Sequence, residues 1–355
     1  MKKGRYFGLF VFSVMAIIAG TIGCRKPGDT ESSEKFSNKL RIAIAGSETT
    51  FVSIANGQKY FSEAGIPIEF QNITNPGEAL SAIELGRLDI NTVALIPTLN
   101  FISNGSDLTI FGGIRSEGGE LITTPNKKDN YKDITSLKGR KVGIIHLDTA
   151  DYNTRKLLRG KGIDPNQDIE YIEFDSYLSI MEALKKGDLD YGITISEMAR
   201  VGEEQGLVSV QKIADLVPFY VCCRQVAKTS SIRENRDEYV ALLKAEIKGY
   251  KYLREKRGES KKYLAELSGQ PEDYFETVIY SKTAPVFSPD PARDKIIDFY
   301  NLLKAEGVFP GEVSIEDHID SSLFEDAITQ LLAESPNDAT YLALLREFEA
   351  NNTTR

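Results

Sequence analysis

LRIAIAGSETTFVSIANGQKYFSEAGI, residues 40–66, contains an apolar run, a hydroxyl-rich loop and an amphipathic stretch ending in Gly65-Ile66. Periodicity predicts a buried strand over Leu40–Ala45, a polar turn over Gly46–Thr50 and a helix from about Phe51 to Ala64. The same grammar returns in RKVGIIHLDTADYNTRKLLRGKGI, residues 140–163: a strand over Lys141–Ile145, a polar loop His146–Asp151, and a helix ending at Gly162-Ile163. Each copy is followed by another strand and a short helix, and these helices end alike. Ala82-Ile-Glu-Leu-Gly-Arg-Leu-Asp89 matches Ala183-Leu-Lys-Lys-Gly-Asp-Leu-Asp190. The offsets are 97 residues from Gly65 to Gly162 and 101 from Gly86 to Gly187. A near-constant offset argues for two similar α/β lobes in register.

Outward from these units, Ile66–Phe70, Leu88–Ala94, Leu108–Ile114, Ile169–Phe174 and Leu189–Ile193 read as further strands. Asn75-Pro76-Gly77 and Pro97 open helices, since Asn caps and Pro suits a first turn. Ser116-Glu-Gly-Gly119 is a glycine loop leading to an extended run, Glu120–Thr124. The polar run Asn126–Asp133 is the expected crossing between lobes, and the apolar run Pro218–Ala227 the expected return. From Arg233 onward the pattern is helical. Strands alternating with helices, then a helical cap, define an α/β class with two lobes and mixed, parallel-rich sheets. The expected divisions are 1–23 leader, 24–38 tether, 39–125 first part of lobe one, 126–217 lobe two, 218–335 return and cap, and 336–355 terminal helix.

The chain has 355 residues, 41% of them apolar and 27% charged, an ordinary balance for a globular protein of two domains. Its net charge is −9, and Lys2, Lys3 and Arg5 in the leader make the remainder more acidic still. That argues against nucleic-acid binding, which needs clustered Lys and Arg. Three cysteines and two histidines, widely spaced, give no metal-ligand pattern. Cys222-Cys223 reads as a small apolar pair in a strand, its side chains on opposite faces.

The leader has a basic start, an apolar core over Phe7–Ile22 and the end Thr21-Ile22-Gly23-Cys24, the layout of a secretory signal. A small residue before Cys24 resembles a bacterial lipobox, in which the cysteine is acylated, including with palmitate, and becomes the new N-terminus; Thr21 stands where that pattern favours Leu. Arg25–Asn38 is polar and reads as a flexible tether from a membrane-held lipid.

Taken in order, these features resemble the type II periplasmic binding-protein fold. More narrowly, the chain is similar to the substrate-binding lipoproteins of ABC importers in the nitrate/sulfonate/taurine and thiamine-pyrimidine group. The carriers are the strand–loop–helix of Ile42–Ala64, Glu78-Ala-Leu with Leu85-Gly-Arg-Leu-Asp89, Leu137-Lys-Gly-Arg-Lys-Val-Gly143, and Met181–Asp190. The resemblance implies a monomer that closes on a small-molecule ligand by hinge motion. It also implies a location on the outer face of the cell membrane or in the periplasm, and permease and ATPase partners. No cofactor, metal or catalytic residue is expected on this reading, and no enzymatic activity. Pyrimidine synthases share the fold, but Cys222-Cys223 alone does not match their cysteine-rich iron-site motif. A sensory lipoprotein and an anion-binding importer component remain as alternatives.

Candidate ligand contacts fall in the turns after strands, where helix N-termini present unbonded N–H groups. They are Ser47, Glu48, Thr49 and Thr50; Asn75; Pro97 and Thr98; Ser116, Glu117 and Gly118; His146, Asp148, Thr149 and Tyr152; Thr194, Ser196 and Glu197; and Tyr220. Helix capping is the competing role for the hydroxyl and amide side chains. Carboxylates outnumber cations in these loops, which argues against an anion and for a neutral or weakly cationic heterocycle, a pyrimidine or flavin-like ring, with Phe51, Tyr152 and Tyr220 available to stack.

Overall fold

The computed structural model describes residues 36, 39–44, 50–73, 75–92, 95–282, 284–309, 311 and 313–353. The leader, Cys24, all of the tether but Phe36, and the loop residues Ser47, Glu48 and Thr49 lie outside them.

The chain begins with β1 (Leu40–Ile44), α1 (Thr50–Gly57), α2 (Tyr60–Glu63), β2 (Ile68–Asn72), α3 (Pro76–Glu84), β3 (Ile90–Asn91), α4 (Leu95–Ser103), β4 (Leu108–Ser116) and β5 (Gly119–Thr123). It continues with β6 (Lys141–Ile145), α5 (Thr149–Gly160), α6 (Pro165–Asp168), β7 (Glu170–Phe174), α7 (Tyr177–Lys186), β8 (Tyr191–Ile195), α8 (Ser196–Glu204), β9 (Val208–Lys212) and β10 (Val221–Lys228). It ends with α9 (Thr229–Glu234), α10 (Arg236–Glu255), α11 (Arg257–Ser268), α12 (Glu272–Tyr280), β11 (Val286–Phe287), α13 (Arg293–Ala305), α14 (Ser322–Glu334) and α15 (Ala339–Asn351).

The strands form two sheets, ordered β11-β4-β10-β3-β1-β2 and β7-β6-β8-β5-β9. β1 is parallel to β2 and β3, and β6 is parallel to β7 and β8. The strands nearest the passages between sheets, β5, β9, β10 and β4, pair antiparallel. Parallel pairing is thus confined to the two βαβ units. Helices cover both faces of the first sheet. One face packs Phe51, Ile54, Leu243, Phe324 and Leu331; the other packs Leu80, Leu99, Ile296 and Leu303. The second sheet has two smaller cores, around Val142 and Ile193 and around Ile180 and Leu184. Full burial of such side chains contributes about 1.5–3 kcal/mol each.

The two matched units share detailed bonding. Asp89 Oδ2 accepts from the Arg41 amide at 2.8 Å, and Asp190 Oδ2 accepts from the Lys141 amide at 3.1 Å. The Asp89 and Asp190 amides in turn donate to the Arg41 and Lys141 carbonyls. Each aspartate therefore ties the start of a third strand to the start of the first. Gly65 and Gly162 both have φ of +74°, the left-handed turn that ends a helix and that glycine adopts at least cost.

Two local expectations are corrected. The helix expected through Ala64 breaks at Lys59, whose φ is +63°, so α1 and α2 are separate. The chain leaves the first sheet at Glu117-Gly118, and β5 already belongs to the second, so Asn126–Asp133 follows the crossing instead of making it. The reason is the antiparallel ladder of Gly119–Ile122 with Gly192–Ile195, a pairing that strand periodicity alone does not assign to either lobe. β9 lies in the second sheet and β10 in the first, so the chain passes back between Lys212 and Val221.

Candidate functional site

A cavity of about 260 Å³ lies between the two sheets, at the ends of β4 and β6 and the start of β10. The first turns of α3, α4 and α5 reach it through Pro76, Leu95–Pro97 and Thr149-Ala150. Hollows of about 510 Å³, beside α2 and α10, and about 340 Å³, beside α11 and Phe70, are larger. The cleft is distinguished by its position at strand ends and helix starts, where α/β sheets place ligands.

Asp148 is the polar centre. It caps α5, with Oδ1 accepting from the Ala150 amide at 2.6 Å, while Oδ2 accepts from the Tyr177 hydroxyl at 2.7 Å. The side chain keeps some solvent contact through the cleft, but protein encloses it otherwise. Burial raises its carboxyl above the usual range, opposed by the bonds from Tyr177, Ala150 and Asp151 and the field of Arg115. Burial, then the neighbouring Asp148, pushes the Tyr177 phenol up.

Arg115, 3% exposed, crosses from β4 to meet Glu197 of α8 in a bidentate pair: Nη1–Oε1 at 2.9 Å and Nη2–Oε2 at 3.0 Å. Tyr220 Oη accepts from the Gly119 amide at 2.5 Å. The two crossing segments are tied side by side. The Glu117 amide donates to the Tyr220 carbonyl at 2.8 Å, and the Phe219 amide donates to Glu117 Oε1 at 2.6 Å. Glu117, Phe219 and the cavity-lining Leu147 have φ of +68°, +56° and +58°. Left-handed conformations at non-glycine residues cost of order 1–3 kcal/mol each and concentrate at functional sites.

Of the residues singled out from sequence, Pro97, Glu117, Gly118, Asp148, Thr149 and Tyr220 line the cavity. Glu197 reaches it through Arg115, and Ser196 bonds the Gly118 carbonyl through both its amide and its hydroxyl. Others lie elsewhere. Thr50 lines the groove beside α11. Asn75 is exposed and caps α3, accepting from the Glu78 amide at 3.0 Å. Thr98 and Thr194 are buried within α4 and β8. Ser116 is buried and accepts from Arg224 at 3.1 Å. His146 is largely exposed, 3.4 Å from Glu173. Tyr152 faces a neighbouring hollow with Asp151, Arg155 and Glu306. Phe51, a proposed stacking ring, is fully buried in the core.

Sequence reading missed Tyr177, Cys222 and Cys223 as lining residues. Tyr177 follows Ser176, the N-cap of α7, and is thus the first residue of a helix after β7, a position that could have been included with the other turns. The cysteines were placed on opposite faces of a regular strand. β10 is irregular there: Val221 pairs with Ser116 and Cys223 with Arg115, so Cys222 is the extra residue of a bulge. The bulge brings both sulfurs to the cavity wall, 3.2 Å apart. Among the described residues, no group of three or more His, Cys, Asp or Glu side chains is arranged to hold a metal ion.

Two sheets, each within an α/β lobe, with a cavity between them define a periplasmic-binding-protein fold. Solved structures agree on that fold. The aliphatic sulphonate binding protein SsuA from Escherichia coli matches with a TM-score of 0.68 and 17% identity, over 80% of this chain and 92% of its own. The nitrate-binding protein NrtA from Synechocystis PCC 6803 matches with a TM-score of 0.65 and 13% identity, over 85% and 91%. The chain belongs to the family described as NMT1/THI5 like, whose model matches residues 47–260, more than half of the sequence. A curated relative, 4-amino-5-hydroxymethyl-2-methylpyrimidine phosphate synthase of Schizosaccharomyces pombe, is 25% identical over 227 residues. That match covers 59% of this chain and 64% of the relative, less than two thirds of its length. The expectation that the chain is not an enzyme is corrected by this likeness, because the relative is named for a synthase.

Proposed function

We propose that this protein captures a small, aminated heterocycle, such as a pyrimidine, between its two lobes, and that the lobes close over it about the paired crossings at Glu117-Gly118 and Phe219-Tyr220. The observation that carries this reading is the carboxyl of Asp148 at the cavity wall, held by Tyr177 and raised by burial. An amino group beside a ring nitrogen offers a donor and an acceptor, which a carboxyl can meet with both oxygens. Arg115 is already engaged by Glu197, so a free anion would have to compete with a built-in carboxylate. Tyr177 and Tyr220 supply aromatic surface.

In this reading the protein delivers its ligand to an ABC permease and ATPase as a monomeric solute-binding lipoprotein on the outer side of the cell membrane. The leader and an acylated Cys24 would anchor it there, with residues 24–38 as tether. A structural neighbour from Staphylococcus aureus named as the ligand binding component of an ABC-type import system, and the basic, apolar, cysteine-ended leader, support that assignment. Chemical conversion of a pyrimidine in the same cleft is a second reading, favoured by the name of the fission-yeast relative.

Native mass spectrometry of the purified chain, followed by calorimetry with a metabolite panel, tests the ligand class. Aminated heterocycles are expected to bind; sulfonates or nitrate binding with such rings inert would refute the proposal. Incubation with the captured ligand separates the two readings: an unchanged ligand supports delivery, and a converted one supports the synthase reading.

A further inference from the structure

The cysteine pair on the cavity wall is not used by the ligand contacts described above. In an unbroken strand, successive side chains point to opposite faces and cannot share a cavity. Here the bulge at Cys222 overrides that alternation, and the two Sγ atoms stand 3.2 Å apart. Cys222 is partly exposed and Cys223 is 4% exposed, and both reach the cavity. Arg224, itself buried, fixes the backbone behind them: Nη1 donates to the Cys223 carbonyl and to the Arg115 carbonyl, both at 2.8 Å, and Nε donates to the Pro291 carbonyl at 2.7 Å. The pair is therefore held at short range by a fixed scaffold, open to small molecules from one side.

We propose that Cys222 and Cys223 are a vicinal dithiol that closes to a cyclic disulfide by exchange with a small-molecule disulfide, switching the wall of the ligand cavity between two forms. The first step joins Cys222 Sγ to one sulfur of the small disulfide. The disulfide bond breaks, and the released thiolate takes up the proton lost by Cys222. Cys223 Sγ then attacks Cys222 Sγ, closing the ring and expelling the second thiol, which carries the proton lost by Cys223. Two electrons pass from the protein to the small disulfide, so the exchange balances without a further oxidant. Cys222 makes the first attack because it is the more exposed of the two. In the closed form, two weak S–H donors leave the cavity wall and the bulge is locked, at the edge of the space that Tyr177 and Asp148 share.

The test uses oxidised glutathione and the full chain. Cleavage after Lys212 and Arg224 isolates residues 213–224 with both cysteines, so Cys24 does not interfere. After treatment, blocking with N-ethylmaleimide and digestion, the peptide is expected two hydrogens lighter, without glutathione or maleimide, and restored by dithiothreitol. The C223S variant is expected to stop at the first step and keep one glutathione on Cys222, with its melting curve reporting that it is folded. A wild-type peptide that carries glutathione, or that still takes two maleimides, overturns the proposal. So does protection of both thiols at unchanged mass, which would signify a bound metal ion.

Discussion

Replacing Glu197 by Gln tests how the cleft selects against anions. The carboxylate makes both bonds to Arg115, at 2.9 and 3.0 Å, and both side chains are largely buried. Gln keeps the shape and one acceptor oxygen but removes the charge. Charged hydrogen bonds contribute about 1.5–3 kcal/mol, and breaking a buried pair leaves the partner's charge uncompensated. The variant should therefore lose about 1–3 kcal/mol of stability, lowering the melting temperature by roughly 2–4 °C per kcal/mol. In exchange, a ligand sulfonate can take the place of the missing charge. One charge-assisted contact of about 1.5–3 kcal/mol corresponds to roughly 10- to 100-fold tighter binding of a small sulfonate. Calorimetry with ethanesulfonate, run beside an uncharged aminopyrimidine, reads both effects. If the wild type already binds the sulfonate well, or if Glu197→Gln leaves its affinity unchanged, the role given to the Arg115–Glu197 pair is wrong.

A Cβ added at Gly119 would meet the Ala150 Cβ at 2.3 Å and Tyr220 Oη at 2.7 Å, so Gly119→Ala should cost about 1–3 kcal/mol and weaken ligand binding; denaturant unfolding and titration check both. Glu246 is fully buried beside Gln225, and burial pushes its carboxyl up to about 8. A raised carboxyl makes the folded state the stronger proton binder, so the stability it confers falls as pH rises from its unfolded value toward about 8. Glu246→Gln should remove that loss, and its melting temperature should pull ahead of wild type between about pH 5 and about pH 9; parallel melting curves would contradict it. Arg159 of α5 clasps Glu306, just past α13, at 2.6 and 2.8 Å, linking elements of the two lobes. Arg159→Ala should shift the ligand-free protein toward a more open form, seen as a larger radius of gyration in solution scattering, and an unchanged scattering profile would count against it.

The βαβ units were legible because their signals are local. Ile42 and Val142 sit in short apolar runs, the helical segments after them end at Gly65 and Gly162 with left-handed φ, and Asp89 and Asp190 close each unit through contacts that the matched motifs encode. The cleft was legible where a turn follows a strand, as at Asp148 and Glu117, and at Tyr220 in the return run. Residues brought in from elsewhere were not. The pairing of Arg115 with Glu197 spans 82 positions, and the wall made by the cysteines depends on a ladder irregularity between strands more than 100 residues apart. Hydroxyl and amide side chains in these turns also serve the fold: Asn75 Oδ1 accepts from an amide of its own helix, and Ser116 Oγ accepts from a guanidinium.

β10 lies between β3 and β4, yet it is made more than 100 residues after either of them begins. The first sheet therefore lacks its middle during synthesis, until Val221–Lys228 emerges. The second sheet, built wholly from residues 119–212, has all its strands available sooner. A nascent chain would hold one finished half and one gapped half with unsatisfied strand edges, a state prone to mispairing and favourable to a holding chaperone.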